Sequence, residues 1–386
     1  MAVSNRAIRE VVTRSLQRIA QQDARRYVQL PDPFPLWRGG ELQRAQIAYE
    51  CWGTLNEARD NAILLFTGLS PPAHARSSGV HPAEGWWERM IGPGLAIDTD
   101  RFFVVCVNSL GSCFGSTGPR SINPATGEPY RLTFPEIAVE DIARGGYEVQ
   151  RALGIERLHA VIGPSLGGMV VLAFAAQFAG AARGLISISG TTTASAFAIA
   201  LRSIQREAVR SDVHWQDGQY CFDHPPVAGL RLARKLGTVT YRSAEELNER
   251  FGRAPIKPSR RSVVPFAPEF SVEGYLDALA DRFVNTFDAN CYLYLSRAMD
   301  LFDLAEHGDG IAQVALDSSA LERALVIGVE SDMLFTIGEQ YAVAEALHAV
   351  GTRTRFVSLQ CLQGHDSFLI EIEQFGREIR EFLQQL

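Results

Sequence analysis

The chain has 386 residues, 46% of them hydrophobic and 21% charged, with a formal net charge of −7. That size suits one large domain carrying an insertion, or two domains. The acidic balance argues against a nucleic-acid surface without excluding an anionic substrate, because a pocket can be locally basic. The first residues lack the apolar core and small-residue cleavage site of a signal peptide, and no apolar run approaches a membrane span. The six cysteines show no Cys-x-x-Cys spacing. The expectation is a cytoplasmic protein with reduced thiols, no metal, and no nucleic-acid or membrane partner.

Residues 1–30 are polar and helix-like, rich in Arg and Gln, and read as an N-terminal arm. Ala45, Ile47, Tyr49 and Cys51 alternate at period two, which predicts an early antiparallel strand. Residues 61–67 form a strand candidate that ends in Gly68-Leu69-Ser70-Pro71, and residues 101–107 another, ending in Asn108-Ser109-Leu110-Gly111. Residues 135–153 read as a helix leading into the apolar run 159–162. Gly163-Pro164-Ser165-Leu166-Gly167-Gly168 comes next, then a helix-like stretch over 169–178 and a strand over 184–189. Regular alternation then stops. Residues 191–320 carry helix-like segments, with a proline-rich, basic loop over 255–268, and read as a mostly helical lid. The core pattern resumes with strands over 325–330 and 355–359, each followed by a polar loop, and ends in a helical C-terminus.

The chemistry concentrates at three of these loops. Gly-x-Ser-x-Gly between a strand and a helix reads as a nucleophile elbow, its glycines leaving no Cβ where backbone and helix come close. That context makes Ser165 the candidate nucleophile and predicts an α/β-hydrolase fold, a mostly parallel sheet flanked by helices, with its core in residues 31–190 and 321–386. An alcohol needs a base to take its proton, and the base needs a third group to fix its tautomer. Asp332, directly after one late strand, and His365, in the loop after the last, follow Ser165 in the chain order of that fold. Asp366 competes with Asp332 for the orienting role. Asp332 is preferred, because adjacent loop residues rarely aim at each other's rings. The oxyanion formed on attack needs backbone N–H donors, expected from Leu166 and Leu69. Together these groups give acyl transfer through an acyl-serine, with the acceptor left open.

At this point the chain resembles the homoserine O-acyltransferases, in motifs that run in order along nearly its whole length. They include Ala48-Tyr-Glu-Cys-Trp-Gly-Thr-Leu-Asn56, Asn108-Ser-Leu-Gly-Ser-Cys113, the elbow Gly163–Met169, Ser331-Asp-Met-Leu-Phe335 and Gly364-His-Asp-Ser-Phe-Leu369. Gly68-Leu-Ser-Pro-Pro-Ala-His-Ala75, Glu84-Gly-Trp-Trp-Glu88 and Cys291-Tyr-Leu-Tyr-Leu-Ser-Arg297 are similar to its serine O-succinyltransferase branch. Pro164 and Leu166 depart from that family, which usually has Gly or Asn before the nucleophile and Met after it. The resemblance implies a ping-pong transfer of a succinyl group from succinyl-CoA, a co-substrate, to the hydroxyl of L-serine, with no permanently bound cofactor. It implies a place in cysteine biosynthesis and a homodimer. It assigns Arg234 to the acceptor carboxylate, Asp366 to its ammonium, Tyr241 as a further contact, and the loop Gly68, Leu69, Ser70 and Pro71 to substrate choice. A succinyl donor carries a second carboxylate, for which Arg202 and Arg206 are the candidates; both also fit a solvated helix face. Homoserine as acceptor, with succinyl or acetyl donors, is the alternative, since one methylene is worth only about 1–3 kcal/mol. Water as acceptor, making an esterase, is a further reading, against which Arg234 and Asp366 argue.

Overall fold

The computed structural model describes residues 23–256 and 264–386. Its main sheet has eight strands: β1 Arg26–Gln29, β2 Gln46–Trp52, β3 Ala62–Phe66, β4 Phe103–Val107, β5 Leu158–Pro164, β6 Ala182–Ile188, β7 Arg323–Val329 and β8 Arg353–Leu359. Their order across the sheet is β1-β2-β4-β3-β5-β6-β7-β8. β2 pairs antiparallel with both β1 and β4, and all the other neighbours pair parallel. Strand β3 shows why. Its five residues, Ala-Ile-Leu-Leu-Phe, are all buried, as a parallel strand covered on both faces requires. Leu64 and Phe66 turn to one core cluster, while Ile63 and Leu65 turn to a second with Trp87, Met90, Phe375 and Ile379. Each such side chain stabilises by roughly 1.5–3 kcal/mol when fully buried.

Helix α1, Val139–Ala152, and helix α2, Leu166–Gln177, lie between β4 and β6 in the chain and pack together. α1 begins four residues later than the sequence pattern suggests. Asp141 explains this: its carboxylate accepts the backbone N–H of Ala138 at 2.8 Å and of Trp37 at 2.8 Å, which caps the first turn there. Five longer helices then separate β6 from β7: α3 Ala196–Arg210, α4 Val227–Tyr241, α5 Ala244–Phe251, α6 Ser271–Val284 and α7 Ala289–Leu301. α3 packs on α4 and α7, and α4 on α6. Helix α8, Ile337–Ala349, and helix α9, Ile372–Gln385, complete the fold.

Two sequence readings touch residues beyond those described. Most of the helix-like stretch 1–30 lies outside them; its last part, 26–29, is edge strand rather than helix. The core of the loop over 255–268 also lies outside, while Val264 and Phe266 at its end are exposed.

Candidate active site

Ser165 stands between β5 and α2 with φ 58° and ψ −120°, a region a non-glycine residue enters only under constraint. The constraint is visible on both sides. Its N–H donates to Ile188 O at 2.9 Å, and its carbonyl accepts from Gly168 N at 2.8 Å. A Cβ at Gly163 would lie 2.0 Å from Gly167 O, and one at Gly167 would lie 2.7 Å from Phe66 O. No other residue fits either position. Pro164 ends the strand in register with Ile188, and because the next amide resumes the ladder, its missing donor leaves no gap there.

Asp332 and His365 reach this turn from the loops after β7 and β8. His365 Nε2 lies 2.7 Å from Ser165 Oγ, and His365 Nδ1 lies 2.7 Å from Asp332 Oδ2. Asp332, not Asp366, faces the ring. Leu334 and Phe335 donate backbone N–H groups to Asp332 Oδ1 at 2.9 and 3.0 Å. Gln340 of α8 reaches Oδ2 at 3.4 Å while donating to Phe335 O at 2.6 Å. The carboxylate is thus held from three directions. Ser165 is 9% exposed and His365 3%. Burial disfavours an imidazolium, but the Asp332 charge and hydrogen bond outweigh it, so His365 titrates above the ordinary histidine value. A hydroxyl, an imidazole and a carboxylate in this line can move a proton off and back onto oxygen.

The loop after β3 lies against the nucleophile: a Cβ at Gly68 would be 3.8 Å from Ser165 Cβ. The amide of Leu166 is the first of α2, where no intrahelical acceptor exists. The Gly68-Leu69-Ser70-Pro71 loop is anchored farther along. His74 Nδ1 is 2.8 Å from Glu50 Oε2 and its Nε2 is 2.8 Å from Ala83 O. Both partners accept, so the ring donates at both nitrogens. Burial opposes that protonation, but Glu50 and Ala83 O prevail and raise the pKa. Glu50, His74 and His81 bring three potential metal ligand atoms within 4.8 Å of one another. Since His74 is already bonded at both nitrogens, the group reads as a loop anchor. Trp87 Nε1 donates to Phe368 O at 3.0 Å, which ties the same loop to the segment after His365.

The helices supply the remaining candidates. Arg234 of α4 has its guanidinium 4.8 Å from the Phe283 ring centroid and 5.6 Å from that of Tyr241. Its Nε is buried without a hydrogen-bond partner among the described residues. The Tyr241 ring centroid is 6.0 Å from that of His365. Burial raises the Asp366 pKa; Arg242, His365 and Arg234 pull it back, in that order. The cation paired with Asp366 is therefore Arg242, with Nε 3.5 Å from Oδ2, a residue the sequence reading passed over. Arg202 and Arg206 are not on a solvated face. Both grip Asp300 of α7, Arg202 through Nε and Arg206 through Nη2, each at 2.5 Å. The Arg202 side chain is 5% exposed, and its Nη1 and Nη2 lack partners among the described residues. Asp300 and Gln340 were also missed. The signal available was a polar residue on the buried side of a helix, which does not by itself name its partner.

With this geometry in place, comparison with known proteins is informative. A family model described as the alpha/beta hydrolase fold matches residues 61–359. A serine O-succinyltransferase of Litchfieldella anticariensis is 55% identical over 361 residues, covering 94% of this chain and 98% of that protein. The homoserine O-acetyltransferase structure from Bacillus anthracis superposes with a TM-score of 0.84 at 29% identity, over 93% of this chain and 97% of the other. Esterase E22 superposes with a TM-score of 0.82 at 29% identity, over 93% and 99%. The chain therefore belongs to the α/β-hydrolase family and, within it, to the acyltransferase family of its serine O-succinyltransferase relatives.

Proposed function

We propose that the protein transfers a succinyl group from succinyl-CoA to the hydroxyl of L-serine. The observation that carries this reading is a Ser165–His365–Asp332 line together with two arginines of the helical stretch whose buried nitrogens, Nη1 and Nη2 of Arg202 and Nε of Arg234, lack partners among the described residues. In this reading Ser165 Oγ attacks the thioester carbonyl as His365 Nε2 takes its proton. The oxyanion is received by the amides of Leu166 and Leu69. Collapse breaks the C–S bond, and His365 returns the proton to the CoA sulfur. The serine hydroxyl then gives its proton to His365 and attacks the acyl-enzyme; collapse breaks the bond to Ser165 Oγ, His365 returns the proton there, and O-succinylserine leaves. Arg202 receives the distal succinyl carboxylate, with Arg206 supporting it through Asp300. Arg234 takes the acceptor carboxylate and Asp366 its ammonium, with Tyr241 beside them. The Gly68–Pro71 loop bears on acceptor choice.

Residues 191–320 act here as a lid. Transfer succeeds only if an amino acid outcompetes water, and the burial of Ser165 and His365 supports such a role. The relative that is 55% identical supports serine as the acceptor, as does the resemblance of the loop Gly68–Pro71 to that branch. A place in cysteine biosynthesis and a cytoplasmic setting go with this activity, and all six cysteines are free. A homodimer goes with the family. The homoserine O-acetyltransferase fold neighbour supports the second reading, homoserine as acceptor. A matrix of succinyl-CoA and acetyl-CoA against serine, homoserine and water tests the choice. Succinyl transfer to serine above all other pairs is expected; hydrolysis exceeding every transfer would return the protein to the esterases.

A further inference from the structure

We propose that Arg242 is a positioning residue for acceptor binding, holding the Asp366 carboxylate in place for the ammonium group of the amino acid. The inference rests on the reading above, in which Asp366 receives that ammonium.

Arg242 immediately follows α4, where the helix runs into the turn that carries His365 and Asp366. The junction is close. A Cβ at Gly364, whose φ is +67°, would lie 2.9 Å from both Arg242 C and Ser243 N. Ser243 Oγ donates to Leu362 O at 2.5 Å while accepting from Glu246 N at 2.9 Å, the cap of α5. The backbone of Arg242 is thus fixed against the 364–366 turn. Its side chain, only 12% exposed, spans two carboxylates: Nε is 3.5 Å from Asp366 Oδ2, and Nη1 is 3.8 Å from Glu246 Oε1. Arg250 shares Glu246 at 3.3 Å.

At 3.5 Å the Arg242 contact balances charge without occupying a lone pair, since Nε makes no hydrogen bond among the described residues. No side chain or backbone group among the described residues donates a hydrogen bond to the Asp366 carboxylate either. Asp366 is partly buried, its side chain 20% exposed; a carboxylate in this state has its charge compensated from one side and its acceptor sites open, which is what an incoming ammonium needs. The charged and titratable groups facing Asp366 are Arg234 on α4, Tyr241 at its end, Arg242 just after it, His365 beside it, and Asp332 from the loop after β7. Of these, Arg242 opposes burial most strongly. Without it the carboxyl would keep its proton to higher pH and lose the group that holds it in place for an ammonium. Arg242 has no corresponding part in the first half-reaction. The charges that act on His365 are Asp332, Asp366 and Arg202.

The test separates the two half-reactions, in the full chain, for R242Q, R242K and the wild type. Acyl-enzyme formation is read as the burst of CoA from succinyl-CoA alone, and acceptor use as kcat/KM for L-serine. On the alkaline side of the His365 limb, R242Q is expected to keep the burst. Its serine kcat/KM at the same pH falls about tenfold or more, carried by KM rather than kcat. R242K, which keeps the charge, restores most of it. A serine kcat/KM unchanged in R242Q, or a burst lost in the same proportion as serine use, overturns the proposal. If R242Q does not fold, E246Q reads the same coupling with the opposite sign, since freeing Arg242 from its second carboxylate lowers the KM for serine. An unchanged KM there is equally fatal. A wild-type enzyme that acylates but transfers to no amino acid overturns both this proposal and the function it rests on. Wild-type transfer to serine with an unchanged variant KM overturns this one alone.

Discussion

The catalytic candidates of the sheet and the substrate candidates of the helices stand on different foundations. Ser165, Asp332 and His365 sit just beyond the ends of parallel strands, and backbone geometry fixes them: a strained elbow, two amides on a carboxylate, a glycine-bearing turn. Arg202, Arg206 and Arg242 sit in the helical stretch and are fixed by charge, through Asp300, Glu246 and Asp366. The first arrangement makes one chemistry rigid. The second makes recognition depend on a few ion pairs, each of which costs several kcal/mol when one partner is removed. A fold of this kind can keep its reaction while its substrates change, because the two sets of supports share few residues.

The largest expected effect breaks the sheet side. Ser165→Ala should reduce transfer by five orders of magnitude or more, by about the measure seen when a triad serine is removed. Intact mass after incubation with succinyl-CoA should show no acyl adduct; an adduct at near wild-type yield would place the nucleophile elsewhere. Asp332→Asn should cost about 10⁴-fold in rate by giving His365 the wrong tautomer. Asp366→Asn should leave acyl-enzyme formation far less affected, and the reverse ranking would reassign the orienting acid.

The helical side should fail differently. Asp300→Ala strands two buried guanidiniums and should destabilise the fold by about 3–5 kcal/mol, measured as a lowered denaturant midpoint. A midpoint unchanged from wild type would mean that the pair is not buried in solution. Arg234→Ala should weaken serine use by roughly 2–5 kcal/mol while sparing the burst of CoA, and equal loss in both steps would make Arg234 structural. The smallest effect is on pH. His365 must be neutral to accept the Ser165 proton, and its pKa is raised. The burst should therefore fall as pH drops through a value above that of ordinary histidine. A limb below it would mean that burial, not Asp332, dominates in solution.

The same contrast decides what could be read from the sequence. The central strands were legible because a buried parallel strand is an unbroken apolar run, whereas the exposed edge strand β1 read as helix; the elbow was legible because its glycines answer to steric limits only a few residues apart. Helix α1 was found but not its start, since the cap involves Trp37, 104 positions from Asp141. The ion pairs were not legible. Arg202 and Asp300 are 98 residues apart, and nothing in either neighbourhood marks the other. Periodicity reports which face a residue takes, not which charge waits there. Arg242 was hidden more simply, behind Tyr241 and Arg234, which the family resemblance had already put forward.

The order in which the chain is made gives the triad a history. Ser165 precedes His365 by 200 residues, on the order of ten to forty seconds of synthesis. During that interval the elbow can close on β5, α2 and β6, yet its serine is an ordinary alcohol, because the ring that activates it has not been made. β7 and β8, the last strands in the chain, also form the last positions at one edge of the sheet. A nascent or truncated chain that stops before His365 is chemically silent toward acyl donors, however well its first strands have folded. The reactive state arrives only with the final docking step, when the helices between β6 and β7 have all been synthesised.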